Sequence, residues 1–337
     1  VIAWGWVSIL KEHDFMTVQI TVIGLGQLGA SIGLALNGRE NIRRIGHDRE
    51  PAVMKKAKSL NAFDETVFNL PASVEKADLV VLCLPLDQVE DTLKHIAADL
   101  REDAVVLDMS PLKTVVAGWF EKHVPAGRHY IGLAPTINPL MLMETSHGIE
   151  AARADLFDKA TIGIATPQNV RPEAVKLAED LVRLLGGQPL FLDLLEADGM
   201  MATAHTLPQV VSVAMLNATV GQPGWQETRR LAGRPYAHVA GILGDDTLEA
   251  LKQALLLNPE KTVHSLDLVI GALTHLRDAV KQGNSPDLER RLRLAFQDQS
   301  AWLLERNRAE WDKEDKKPVE IGNPLQRLFT GSRPKQA

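Results

Sequence analysis

The sequence predicts an α/β protein: a doubly wound parallel sheet followed by an all-helical region. Three observations predict it. From residue 17 to about residue 193, short apolar runs rich in β-branched residues alternate with amphipathic segments, as parallel strands and their covering helices do. After Leu194 the strand-like runs stop, and apolar residues recur at three- and four-residue spacings. The first apolar run leads straight into a glycine-rich turn and then a helical pattern, Val-Gln-Ile-Thr-Val-Ile-Gly24-Leu-Gly26-Gln-Leu-Gly29.

The elements follow in order. Strands are predicted at 18–23, 43–47, 79–84, 104–108, 129–133, 160–165 and 188–192, all parallel. Helices are predicted at 28–37, 51–59, 87–99, 112–123 and 172–186. Pro85 ends one strand, and Gly186-Gly187 ends the last of these helices. The second region carries helical periodicity from 196 to about 309, notably at 202–216, 247–257 and 263–281, broken at Gly221-Gln-Pro-Gly224 and Asn258-Pro259. The expected organisation is an N-terminal extension at 1–15, disordered ahead of Met16, a sheet domain at 16–193, a helical domain at 194–311 and a mobile charged tail at 312–337.

Composition narrows the function. The 337 residues are 45% hydrophobic and 24% charged, with a net charge of −6. That balance gives no electrostatic footprint for nucleic acid or an anionic membrane. No apolar run reaches the roughly 18–20 residues that span a bilayer. Cys83 is the single cysteine. It lies in an apolar run, reads as a buried strand residue and fits a reducing cytoplasm. The ten histidines are scattered without HxxxH or HxH pairs, so no metal site is expected. No Walker loop is present.

The glycine turn carries the first chemistry. Gly24 allows the tight turn, Gly26 lets backbone approach a pyrophosphate, and Gly29 lets helix pack on strand. Leu25, Gln27 and Leu28 complete the loop, whose N–H groups and helix dipole suit phosphates. Asp48 closes the next apolar run, close to the expected twenty or so residues after the last glycine. Its carboxylate suits the ribose hydroxyls of NAD and repels a 2′-phosphate. Arg49 follows at once and suits such a phosphate, so NADP stays open. Together these make a Rossmann-type dinucleotide site.

Ligands of an open parallel sheet bind beyond the carboxyl ends of its strands. That selects Leu84-Pro85-Leu86-Asp87, Asp108-Met-Ser-Pro-Leu-Lys113 and Leu133-Ala-Pro-Thr-Ile-Asn138. Leu84 and Pro85 are expected against the cofactor. Ser110 and Lys113 are expected at nicotinamide or substrate, the plainer reading of Lys113 being a helix-surface lysine. The helical region offers His205, Thr206 and Gln209 around Leu207-Pro208, then Arg229, Arg230 and Arg234. An arginine fork suits a substrate carboxylate. A surface arginine and a satisfied core histidine are the plainer readings of Arg230 and His205.

The order of these pieces resembles the prephenate/arogenate dehydrogenase family over nearly all of residues 17–310. The resemblance rests on the Val-Ile-Gly-Leu-Gly-Gln-Leu-Gly-Ala-Ser fingerprint with Asp48, the Asp108-x-x-x-x-Lys113 loop and the Gly132-x-x-Pro135 loop. It also rests on the Leu207-Pro208 helix and the Gly224-Trp…Arg230-Leu-Ala segment. It implies oxidative decarboxylation of prephenate or arogenate with NAD(P), and a homodimer paired through the helical domain. It also implies that Lys113 matches the family's loop lysine and Arg230 the arginine that holds a substrate carboxylate. The chain departs from the family at the substrate. Ala134 stands where the family has the histidine that takes the ring-hydroxyl proton. Pro111 stands at the family's serine, with Ser110 one residue earlier. The family's Ser-His-Leu-Pro-His reads His205-Thr-Leu-Pro-Gln209. The family reaction then needs a relocated proton acceptor, such as His205 or His147. Two other readings follow from these departures: an oxidoreductase acting on another small carboxylate, with water or Ser110 completing the proton path, and a non-catalytic NAD-binding dimer.

Overall fold

The computed structural model describes residues 17–309, apart from 145, 245 and 246, together with Trp311. The expected N-terminal extension and C-terminal tail lie outside the described residues.

The first region runs β1 (Val18–Ile23), α1 (Gln27–Ala35), β2 (Ile42–His47), α2 (Pro51–Ser59), β3 (Glu65–Thr66), α3 (Leu70–Val74), β4 (Leu79–Leu82) and α4 (Leu86–Ile96). It continues through β5 (Val105–Asp108), α5 (Lys113–His123), β6 (His129–Pro135), β7 (Thr161–Thr166), α6 (Pro172–Leu184) and β8 (Gln188–Asp193). The eight strands form one sheet in the order β3-β2-β1-β4-β5-β6-β7-β8. Helices cover both faces, so the central strands read as continuous apolar runs. Alternation decides which face each residue serves. Leu79 and Val81 join the core under one set of helices, and Val80 and Leu82 join the core under the other.

Two expectations need correction. The sheet is not wholly parallel: β6 and β7 pair antiparallel. The 136–160 connection between them contains two short 3₁₀ turns, Pro139–Met141 and Ile149–Ala151, and no crossover helix. Without a crossover helix the chain reverses direction. The strand expected at 79–84 stops at Leu82, because Cys83 to Pro85 turns over the glycine loop. β3 and α3 are too short to give a periodic signal and were not anticipated.

The helical region follows directly. It comprises α7 (Leu194–Met201), a π-turn (Ala202–Thr206), α8 (Leu207–Thr219), α9 (Trp225–Thr228), α10 (Arg234–Ala240), α11 (Leu248–Leu257), α12 (Pro259–Lys281) and α13 (Ser285–Arg308). It docks on the sheet region through α11: Ala250 and Ala254 join the core that holds Leu86 and Val89 of α4. Thr247 Oγ1 adds a hydrogen bond to Asp87 Oδ1 at 3.2 Å. Thr247 also caps α11, accepting from Ala250 N–H.

Candidate active site

One row of residues crosses seven strands and sets the level of the site. His47, Ile23, Leu82, Asp108, Gly132, Ala165 and Leu192 are successive register partners from β2 to β8. The carboxyl ends of β1, β2, β4 and β5 all lie at or beside this row. The loops leaving them therefore converge on one edge.

Gly24, with φ at +90°, opens the first loop. A Cβ on Gly29 would collide with Gly24 O, so helix and turn are in direct backbone contact. Nothing lies within 4 Å of the place a Gly26 Cβ would take. That open cradle faces the start of α1, whose first N–H groups receive no side-chain cap. Loop and helix start thus fit a pyrophosphate. Asp48 is held beside it: Leu25 N–H donates to Asp48 Oδ2 at 2.8 Å, and Glu50 N–H donates to Oδ1 at 2.9 Å. Leu25 itself is fully buried. It serves the loop from inside, and its N–H is engaged by Asp48, so the expected cofactor contact there is corrected to a supporting one. Gln27 and Leu28 are half-buried, and Gln27 Nε2 reaches Ala151 O at 3.4 Å. Arg49 is exposed, its nearest acid being Glu50 at 3.8 Å.

Leu84 and Pro85 are half-buried at the end of β4, one strand from the glycine turn. Cys83 packs its sulfur 3.6 Å from Met109 Sδ. Cys83 lies just past the end of β4 and is half-buried, not a buried strand residue as expected. Desolvation, reinforced by the nearby Asp108 carboxylate, pushes its thiol pKa up.

The loop after β5 differs most from expectation. Lys113 is 0% exposed and Ser110 2%. The Lys113 ammonium donates to Asp108 O at 2.9 Å, to Asp108 Oδ2 at 3.3 Å and to Ser110 O. Ser110 Oγ donates to Asp108 Oδ2 at 2.9 Å, and Tyr130 OH lies 3.4 Å from the same oxygen. Burial lowers the lysine pKa, and Asp108 opposes that shift. Burial likewise raises the Tyr130 phenol well above its usual value. Lys113 and Ser110, expected at nicotinamide or substrate, are thus buried in a hydrogen-bond network within this loop, and Lys113 is not a helix-surface lysine. Gly132 is what admits the lysine stem: a Cβ there would lie 2.5 Å from Lys113 Cδ.

Sequence reasoning missed the group that anchors the helical region to this loop. Asp198 of α7 is 5% exposed, and it accepts from Lys113 N–H and from Thr114 N–H (3.2 Å to Oδ2). It caps α5 from 85 residues away. No local signal marks a cap supplied by a distant helix.

Four residues further on, the chain enters its π-turn, a feature frequent at functional sites. His205 is half-buried in that turn, and its Nε2 stands 3.2 Å from Gln209 Nε2. Ser212 continues the same helix face, fully buried, with its hydroxyl unbonded among the described residues. Ala134 sits on β6 opposite Gly163. His147 is exposed in the 136–160 connection. Arg229, Arg230 and Arg234 are all exposed. No acidic side chain among the described residues pairs with Arg230.

The comparisons agree with this architecture. Residues 32–190 match the family model for the nucleotide-binding domain of prephenate dehydrogenase. The chain is 25% identical over 274 residues to a cyclohexadienyl dehydrogenase of Zymomonas mobilis, covering 79% of this chain and 90% of that one. It is 24% identical over 263 residues to a prephenate dehydrogenase of Lactococcus lactis, covering 74% and 67%. Its fold matches prephenate dehydrogenase from Aquifex aeolicus, solved with hydroxyphenyl propionate and NAD+, at a TM-score of 0.73 and 19% identity, covering 85% and 98% of the two chains. It also matches Synechocystis arogenate dehydrogenase at 0.66 and 23%, covering 85% and 100%. Sequence and fold agree: residues 32–190 match the nucleotide-binding domain of the prephenate dehydrogenase family, and the chain is similar to cyclohexadienyl and prephenate dehydrogenases over about three quarters of its length.

Proposed function

We propose that this protein is an NAD-dependent dehydrogenase that oxidatively decarboxylates a cyclohexadienyl carboxylate, prephenate or arogenate. The observation that carries the reading is the open Gly26 cradle beside the tethered Asp48, on an edge shared with the loops after β4, β5 and β6. Bound NAD supplies the hydride acceptor. The ring hydroxyl gives up its proton as hydride leaves its carbon, and the ring oxygen is protonated again once loss of carbon dioxide has made the ring aromatic. Ala134 cannot take that proton. In this reading His205 takes and returns it, and the Gln209 Nε2 that stands 3.2 Å from His205 Nε2 gives way when that nitrogen binds the proton. Arg230, exposed and without an acidic partner among the described residues, holds a substrate carboxylate through its guanidinium fork.

The finer points belong to the same reading. Asp48 favours NAD over NADP, and Arg49 is too exposed to reverse that preference alone. α12 and α13 leave Leu268, Ile270, Leu273, Phe296, Trp302 and Leu304 in solvent. So large an apolar surface supports a homodimer paired through the helical region. A single cysteine suits a cytoplasmic protein.

Turnover of prephenate and of arogenate with NAD tests the proposal, followed by the near-ultraviolet absorbance of reduced cofactor. His205→Ala is expected to lower kcat about 10²-fold or more. A protein that binds NAD yet oxidises neither substrate would instead match the non-catalytic reading that Ala134 favours.

A further inference from the structure

Phe68 lies outside everything assigned so far. The parallel register of β2 and β3 pairs Ile45 with Glu65 and Gly46 with Thr66. Two hydrogen bonds carry that pairing beyond β3. Val67 N–H donates to Gly46 O at 2.9 Å, and His47 Nδ1 lies 2.9 Å from Val67 O. Val67 thus extends the row that crosses the sheet, and Phe68 stands one step beyond it, level with Asp48. Asn69 then caps α3, accepting from Ala72 N–H at 2.9 Å, and the chain turns back.

Phe68 is 64% exposed. Among the described residues before Pro139 it is the only large hydrophobic left so open. Its neighbour in sequence, Phe63, shows the ordinary fate of such a ring: it is 4% exposed and packs against Gly33 and Gly46. Phe68 therefore contributes little to the core and stands at the edge where ligands bind.

The path of a dinucleotide gives that ring an occupant. The pyrophosphate belongs at Gly26 and α1, and the nicotinamide half belongs over β4 to β6. The adenosine ribose belongs at Asp48, at the end of β2. The adenine then extends outward from β2, on the side away from β4, where the chain leaving β3 carries Phe68. We propose that Phe68 is the adenine wall of the cofactor site, an aromatic plate on which the purine stacks. Every base presents a π-face, so stacking on an aromatic side chain needs no further polar contact.

This inference rests on dinucleotide binding and not on the substrate. Its test is calorimetric binding of NAD and of ADP-ribose, which lacks the nicotinamide. Phe68→Ala is expected to weaken both by the same factor, about five- to a hundredfold, with the thermal midpoint unchanged. Phe68→Leu, apolar but unable to stack, is expected to share the loss, and Phe68→Trp to restore binding. Unchanged binding in Phe68→Ala, or full rescue by leucine, would overturn the stacking role. Failure of the unmutated chain to bind either ligand would be a different result: it would overturn the reading of the glycine loop, and this inference with it.

Discussion

Gly26 and Lys113 stand in opposite surroundings. A Cβ at Gly26 would meet no protein atom within 4 Å and would enter the space proposed for a pyrophosphate. Gly26→Val should therefore leave stability almost unchanged and abolish NAD binding, as calorimetry and thermal unfolding together would show. Lys113 is the opposite case. Its ammonium is buried with the Asp108 carboxylate, and removing one partner strands the other in low dielectric. Lys113→Met should destabilise the fold by about 3–5 kcal/mol in urea unfolding. A change near zero would mean that water reaches Asp108. The glycine loop was legible from spacing because its demands are local. The burial of Lys113 was not, because it depends on Gly132 and Tyr130, which meet it only through the β5–β6 pairing.

Among the elements, the strands of the first region were legible almost residue by residue, since burial on both faces demands unbroken apolar runs. The reversal at β7 was not, because an irregular 136–160 connection and a crossover look alike until periodicity is tested. Helix α5 depends on a cap from α7. Asp198→Ala should lose about 1–2 kcal/mol and expose the amides of Lys113 and Thr114 to hydrogen exchange. Protection unchanged at those amides would remove the cap from the account. β2 is tied to its neighbours by Arg44, which donates to Gly33 O at 2.9 Å and pairs with Asp64 at 2.6 Å. Partial burial opposes ionisation of Asp64, but the hydrogen bonds and charge of Arg44 outweigh it and hold its pKa below the usual value. A lowered carboxylate pKa stabilises the fold above the unfolded pKa, and that stability is lost as pH falls through the folded one. The unmutated chain should therefore exceed Asp64→Asn in stability at neutral pH, with the gap closing below about pH 4.

At the scale of the molecule, the sheet region holds the cofactor site and the helical region lies over its β4 and β5 loops, fastened at Asp198 and Thr247. The apolar faces of α12 and α13 extend away from that contact. Sedimentation should find a dimer, and Leu273→Asp combined with Phe296→Asp should return a monomer with its NAD site intact. A monomeric unmutated chain would contradict the assembly. The central claim is dehydrogenation of a cyclohexadienyl carboxylate with the proton taken by His205 in place of a residue at 134. Steady-state turnover of prephenate and arogenate with NAD, measured in the unmutated chain beside His205→Ala and Ala134→His, tests it most directly. The account predicts measurable reduced cofactor from the unmutated chain, a fall of about 10²-fold or more in His205→Ala, and recovery when Ala134→His is added to it. Equal rates in the unmutated chain and His205→Ala, or no turnover in any of them despite NAD binding, would contradict it.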